Sequence, residues 1–211
     1  MRSAADFNRL YLERRDPWGT DRATRRDRGL AKVIPPHVEG KTVLELGCGE
    51  GHLTATIFSK ASWVTGVDIS AVAILRASER RLPNATFVDQ DFMGMSFEGR
   101  DVIAALECIY YLSLEEREAF FRKLAKEHRG TFIMSAPIIG GKYFTHEELL
   151  ETFNRYGLGL INWRNVYAYR RPGVGGLAAS VAARVPLVRD AVVALWPERF
   201  MCHRAYVVRC G

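Results

Sequence analysis

The stretch Val43-Leu44-Glu45-Leu46-Gly47-Cys48-Gly49-Glu50-Gly51 limits what this chain can fold into more than any other part of it. A short apolar strand runs directly into small residues, and a helical segment follows at 53–59. Strand, glycine turn and helix in that order open a doubly wound α/β sheet, whose ligands sit at the carboxyl ends of the strands. Glycines suit the turn because a side chain there would block a ligand lying against the backbone. A second constraint is Val64-Thr65-Gly66-Val67-Asp68-Ile69-Ser70, a strand ending in an acid. It follows the turn by roughly twenty residues, where a carboxylate can accept both hydroxyls of a ribose.

The alternation continues along the chain. Strands are predicted at 42–46, 63–67, 86–88, 102–105, 131–135, 160–163 and 205–208. Ser70 can cap a helix over 71–81 that stops before Pro83. Ser113-x-x-Glu116 and Thr145-x-x-Glu148 are capping boxes for two more helices, ending near 128–130 and 153. Such alternation predicts a seven-stranded, mostly parallel, doubly wound sheet of Rossmann-like form with right-handed crossovers. The expectation is one domain over 1–211, with a helical cap at 1–36 ending at Pro35-Pro36. The core then comprises 37–171 and 201–211, with a helical insertion at 172–200 broken at Pro186 and Pro197.

Composition narrows the class. A chain of 211 residues, 48% hydrophobic and 26% charged, matches an ordinary soluble domain with one core. No apolar run approaches the roughly 20 residues that span a bilayer. The amino terminus has no apolar signal-peptide region, and Asp6, Glu13 and Asp16 argue against a transit peptide, so the cytoplasm is expected. The four cysteines, Cys48, Cys108, Cys202 and Cys210, are scattered and suggest no metal site. The net charge of +6 is uneven: residues 1–32 carry nine bases against five acids, and 155–211 nine against two. The pattern either attracts an acidic substrate or reflects a preference for arginine, of which there are 24 against six lysines. No stacking aromatic array or nucleic-acid motif is present, so nucleic acid is not an expected partner.

Both cofactor segments would also suit a dinucleotide dehydrogenase. Two features speak for a different ligand. The glycines fall at 47, 49 and 51, giving G-x-G-x-G rather than G-x-G-x-x-G. Glu45 and Glu50 flank the place where a pyrophosphate would sit on the helix N-terminus, and two acids there oppose a dianion but tolerate a sulfonium.

Residues 43–51 resemble motif I of the class I S-adenosylmethionine-dependent methyltransferases, and Asp68, with Ile69 beside it, matches the acid that family places on the ribose. Phe87-Val88-Asp89-Gln90-Asp91-Phe92 resembles the adenine segment, which implies that Asp91 takes the adenine amino group while Phe92 contributes backbone contacts and packing. Asp101-Val102-Ile103-Ala104-Ala105-Leu106-Glu107 resembles motif IV, so Leu106 would lie beside the methionyl group. The resemblance covers about 40–136 and implies S-adenosyl-L-methionine as the cofactor.

Outside that core, Asp16-Pro17-Trp18-Gly19 and Leu106-Glu107-Cys108-Ile109-Tyr110-Tyr111-Leu112 are similar to the nodulation protein S family of N-methyltransferases. The similarity implies amino-terminal helices that close over the cofactor, with Trp18 stacking there, and a sugar-like or other small polar acceptor. It also implies that Arg25 or Arg26 can meet the methionyl carboxylate. Many relatives place a histidine base after the fourth strand; here Tyr110 and Tyr111 stand instead. Either tyrosine can orient an acceptor or simply pack, and Glu107 can take its proton or bind its cation. An amine arriving neutral needs no base, only in-line positioning in a dry pocket. Residues 137–144 are expected to wall the acceptor pocket, with Lys142 and Tyr143 as contacts and His146 at the surface. The 172–200 insertion reads as a lid, a dimer surface, an interfacial helix or plain packing.

These observations lead to a methyltransferase acting on N or O of a small-molecule acceptor, as a monomer or homodimer without membrane association. Two rivals stay open: an NAD-type oxidoreductase, and a cofactor-binding regulatory module whose acceptor pocket is filled.

Overall fold

Apolar side chains two residues apart share a face of a strand, and this period decides which helix covers which side. The strands are β1 (Thr42–Leu46), β2 (Trp63–Asp68), β3 (Ala85–Asp89), β4 (Val102–Leu106), β5 (Gly130–Ile138), β6 (Gly159–Arg170) and β7 (Phe200–Cys210). The helices are α1 (Ala4–Glu13), α2 (Arg25–Val33), α3 (Pro35–Val38), α4 (His52–Ile57), α5 (Ala71–Ser78), α6 (Leu114–Glu127) and α7 (His146–Arg155). The computed structural model describes residues 3–20, 25–139, 143–170 and 200–211, with the single positions 185, 188 and 191.

All seven strands join one sheet in the order β3-β2-β1-β4-β5-β7-β6. β1 to β5 pair in parallel, and β7 lies antiparallel between β5 and β6. β6 therefore runs with β5, and six strands present their carboxyl ends at one edge. The central β4 is buried along its whole length. On one face Ile103 and Ala105 join Leu44, Phe132 and Met134 beneath Phe120 and Phe121 of α6 and Phe153 of α7. On the other, Val102 and Ala104 join Val43 and Ile133 beneath Leu30 of α2, Ile34 between α2 and α3, and Ile57 of α4. α2 comes unusually near the sheet: a Cβ on Gly29 would lie 2.2 Å from the Val166 carbonyl oxygen of β6. That approach brings Arg26, one turn earlier, to the carboxyl edge.

The differences from expectation have local causes. β6 and β7 are far longer than the predicted 160–163 and 205–208. Register shifts between Leu160 and Asn162, and between Asn165 and Tyr167, break the alternation that would have revealed β6. Pro35 and Pro36 open α3 instead of ending the cap, since proline is tolerated where a helix begins. α5 stops at Ser78, and Arg81 takes a positive φ of 51°. Apart from Phe200 and positions 185, 188 and 191, the 172–200 insertion lies outside the described residues. β6 and β7 pair out to Arg170 and Phe200, so the connection leaves from the edge that carries the strands' carboxyl ends.

Ser70 does more than cap. Its hydroxyl accepts from Ala73 N at 3.2 Å and donates to Asn8 Oδ1 of α1 at 2.7 Å. The Ser70→Ala variant is expected to lose about 1–2 kcal/mol of stability, seen as a lower urea midpoint with an unchanged slope. An unaltered midpoint would show that the hydroxyl bears no load in either role.

Candidate functional site

The carboxyl edge of the sheet opens into a cleft whose floor is the glycine turn after β1. Gly47 needs to be glycine twice over: its φ is +66°, and a Cβ would stand 2.7 Å from that of Cys108. From Gly47, Cys48 and Gly49 the walls continue through Asp68 and Ile69 after β2, then Asp91 and Phe92 after β3. Leu106, Glu107, Tyr110 and Tyr111 close the far side after β4. Trp18 and Arg26 come down from the amino-terminal segment. Most of the positions singled out from the sequence thus meet at one cleft, from six separate segments of chain.

Two expected positions do not reach the cleft. Gly51 faces the sheet, where a Cβ would crowd Phe87, Ala77 and Arg80. Glu45 points into the core, 2% exposed, and its Oε2 accepts the Thr54 hydroxyl at 2.5 Å. Burial pushes its carboxyl up to about 8, against the pull of Thr54 and with a push from Asp68. At neutral pH Glu45 is mainly uncharged and repels nothing, which corrects the charge argument built on it. Glu50 does line the cleft but is balanced, with Arg76 Nη1 at 2.6 Å from Oε1 and Asp16 N donating to Oε2 at 2.7 Å. Asp16, Glu50 and His52 bring ligating atoms within 4.8 Å of one another, yet Arg76 and Arg80 already contact Glu50 and His52. A cation there would compete with two guanidinium groups.

The cleft remains acidic by other means. Among the described residues it is lined by Asp16, Glu50, Asp68, Asp91 and Glu107, against Arg26 as the lone guanidinium. Asp68 holds the two turns together: Oδ2 accepts Gly49 N and Oδ1 accepts Ser70 N, each at 2.9 Å. Burial still outweighs those backbone bonds and raises its pKa. Asp91 caps the short turn Phe92–Gly94 by accepting Met93 N at 2.9 Å. Each carboxylate oxygen has a second lone pair, so these bonds leave acceptor capacity for a ligand.

The lid is tied to the floor. The Tyr11 hydroxyl of α1 accepts Trp18 Nε1 at 3.2 Å and would lie 2.8 Å from a Cβ on Gly49. Asp16, at φ +44°, accepts both the amide and hydroxyl of Thr20 at 2.8 Å. Arg25 is exposed, whereas Arg26 is half-buried and lines the cleft, so of the two Arg26 is the one that reaches it. Its Nε donates to Asp27 Oδ1 at 2.9 Å. Burial works against the Arg26 charge, but Glu107 and Asp27 outweigh it and raise the pKa.

Glu107 is the most constrained group in the cleft. Its backbone sits at φ +59°, an uncommon conformation for a side-chain-bearing residue and one that concentrates at functional sites. Oε1 accepts the Ser135 hydroxyl and Oε2 faces His203 Nδ1, both at 2.9 Å. Burial alone would raise its pKa, but His203, Arg26 and Ser135 outweigh it and hold the carboxyl below its usual range. Tyr110 packs against Tyr111 with ring centroids 4.8 Å apart and against Tyr143 at 5.1 Å. Burial and Glu107 push the Tyr110 phenol far up, so it stays protonated and is no base. Arg117 secures this turn by donating to the carbonyls of Leu112 and Tyr110 at 3.2 and 3.0 Å. Tyr143 stays behind Tyr110, Lys142 lies outside the described residues, and His146 is half-buried against Tyr206 at 3.0 Å.

Sequence reasoning missed Phe7 and Tyr11 in the lid, and Ser135 and His203 behind Glu107. No motif marks them. His203 is 96 residues from Glu107 and meets it only because β7 inserts beside β5.

Residues 43–128 match the family model described as a methyltransferase domain. Nodulation protein S of Azorhizobium caulinodans is 30% identical over 118 residues, 53% of this chain and 56% of that one. The chain spans about half the length, or less, of the curated relatives it matches. Among solved structures, the N-methyltransferase NodS of Bradyrhizobium japonicum WM9, in complex with S-adenosyl-L-homocysteine, superposes with a TM-score of 0.70 at 16% identity over 99% of each chain. The [4+2]-cyclase SpnF has the same fold, with a TM-score of 0.62 at 17% identity over 86% of this chain and 79% of that one. A shared fold at such identities leaves the chemistry to the site itself.

Proposed function

We propose that this chain, whose residues 43–128 match a methyltransferase domain, uses S-adenosylmethionine to methylate N or O of a small polar acceptor. The observation that carries the reading is the acidic cleft, in which Asp68, Asp91 and Glu107 line a glycine turn with Arg26 as the lone lining guanidinium among the described residues. That surface suits a cationic sulfonium and disfavours a pyrophosphate. The chemistry of the donor set therefore fits the cofactor.

S-adenosylmethionine supplies a methyl group on a sulfonium that leaves as a neutral thioether. The residues named here would hold it. Asp68 accepts the ribose hydroxyls, Asp91 takes the adenine amino group, and Phe92 packs on the base. Arg26 meets the methionyl carboxylate through the guanidinium nitrogens that Asp27 leaves available. Tyr11 and Trp18 exclude water from above. Glu107, anionic and buried at the end of β4, receives a hydrogen bond from the acceptor and its proton as the new bond forms. Tyr110, with its phenol protonated, orients the acceptor by donating. An anionic Glu107 suits an amine as the acceptor.

Titration calorimetry tests the cofactor. S-adenosylhomocysteine is expected to bind and NADH not; the reverse would put an oxidoreductase in its place. The Glu107→Gln variant is expected to keep that affinity within about threefold while losing turnover by roughly 10²–10⁴. A catalytically competent Glu107→Gln would remove Glu107 from the proton path. A chain that binds the cofactor yet releases no S-adenosylhomocysteine with any acceptor mixture would be a regulatory module.

A further inference from the structure

His203 has no place in the cleft lining, yet it holds one oxygen of the most constrained group there. It stands on β7 beside Pro137 of β5 in register, with Tyr167 of β6 at a ring distance of 6.1 Å. Its Nδ1 lies 2.9 Å from Glu107 Oε2, with side-chain exposures of 12% and 8%. Glu107, an anion, can only accept, so Nδ1 carries the hydrogen and the ring's tautomer follows from its partner. Ser135 of β5 takes the other oxygen. The carboxylate is thereby gripped on both oxygens from two neighbouring strands, while Arg26 of α2 and Tyr110 and Cys108 after β4 face it electrostatically.

We propose that His203 is a positioning residue of the acceptor site: through Nδ1–H it locks Glu107 as an outward-turned anion ready to take the acceptor's proton. The proposal rests on the methyltransferase reading for what Glu107 does, but the grip itself is a property of the folded chain. As methyl transfer proceeds, the acceptor's lone pair forms the bond to carbon, the carbon–sulfur pair stays on sulfur, and the acceptor's proton passes to a Glu107 oxygen. His203 gains and loses no proton. A Glu107 without it would keep only the Ser135 anchor and would swing out of line with the acceptor.

The test follows the Glu107 carboxyl itself, by carbon-13 NMR titration of protein labelled at glutamate Cδ, assigned with Glu107→Gln. His203→Ala is expected to move the Glu107 midpoint up by about 1 pH unit or more. His203→Asn, whose Nδ2 replaces the lost donor at the same distance from Cβ, is expected to restore most of that change. Should the alanine variant fold poorly, His203→Gln fills the volume but carries its nitrogen one bond too far, and gives the same comparison. An unmoved midpoint in the variants lacking the donor, or no recovery with asparagine, overturns the proposal. Calorimetry with S-adenosylhomocysteine runs alongside. Binding is expected to be equal in wild type and His203 variants, and its absence from wild type would sink the cofactor reading while leaving the NMR outcome to be judged alone.

Discussion

Replacing Asp68 by alanine is expected to weaken S-adenosylhomocysteine binding by about 10²- to 10³-fold while leaving the chain folded. The carboxylate links the ends of β1 and β2 by accepting Gly49 N and Ser70 N. Its removal leaves two amides short of a partner next to the ligand, at about 1–3 kcal/mol for each that stays dry. It also deletes the acceptor proposed for the ribose, and about 1.4 kcal/mol corresponds to each tenfold in affinity. Folding itself should suffer less, because burial raises the Asp68 pKa and so makes the charged form a burden on the native state. Such a burden is tolerated where function needs the group. Calorimetry with circular dichroism on the same sample separates the two effects. Affinity within threefold of wild type would remove Asp68 from the site.

Glu45 should give the largest pH-dependent effect on stability. Its carboxyl titrates at about 8 in the folded chain against 4.5 when unperturbed. Between those values the native state holds a proton that the unfolded state has released, so stability falls as pH rises through the window and levels off above it. The full span corresponds to a loss on the order of 5 kcal/mol, at about 1.4 kcal/mol per pH unit. Glu45→Gln keeps the shape and a partner for Thr54 but cannot ionise. It is expected to match wild type near pH 4 and to exceed it clearly at pH 8.5 in urea unfolding. Asp68 adds a slope of the same sign, since its pKa is also raised. His128 adds the opposite sign below its unperturbed value, because burial lowers its pKa and protonation then favours the unfolded chain. Both remain in the variant, so the difference between the two curves isolates Glu45. Parallel curves would mean that the carboxyl titrates normally.

The two results bear on one point about acidic turns. Glu45 and Glu50 look equivalent along the chain, flanking the same glycines. One strand residue turns into the core and stays neutral; the other faces the cleft and is balanced by Arg76 of a different helix. The acidity of the cleft comes instead from acids at or just after the ends of β2, β3 and β4.

Read alone, the sequence determined the alternation of elements, the glycine turn, the Ser70, Ser113 and Thr145 caps, and most of the positions that meet at the cleft. These are local matters: a strand run, a turn that needs small residues, and a capping hydroxyl are each settled within a few residues. Tertiary structure alone decided the length of β6, hidden by its two register shifts, and the inward turn of Glu45. It alone brought Arg26 rather than Arg25 to the cleft, through the close approach of Gly29 to Val166. It also set His203 and Ser135 against Glu107, by placing antiparallel β7 next to β5. Burial, facing and charge pairing between distant segments depend on sheet order and helix packing, and no spacing along the chain encodes them.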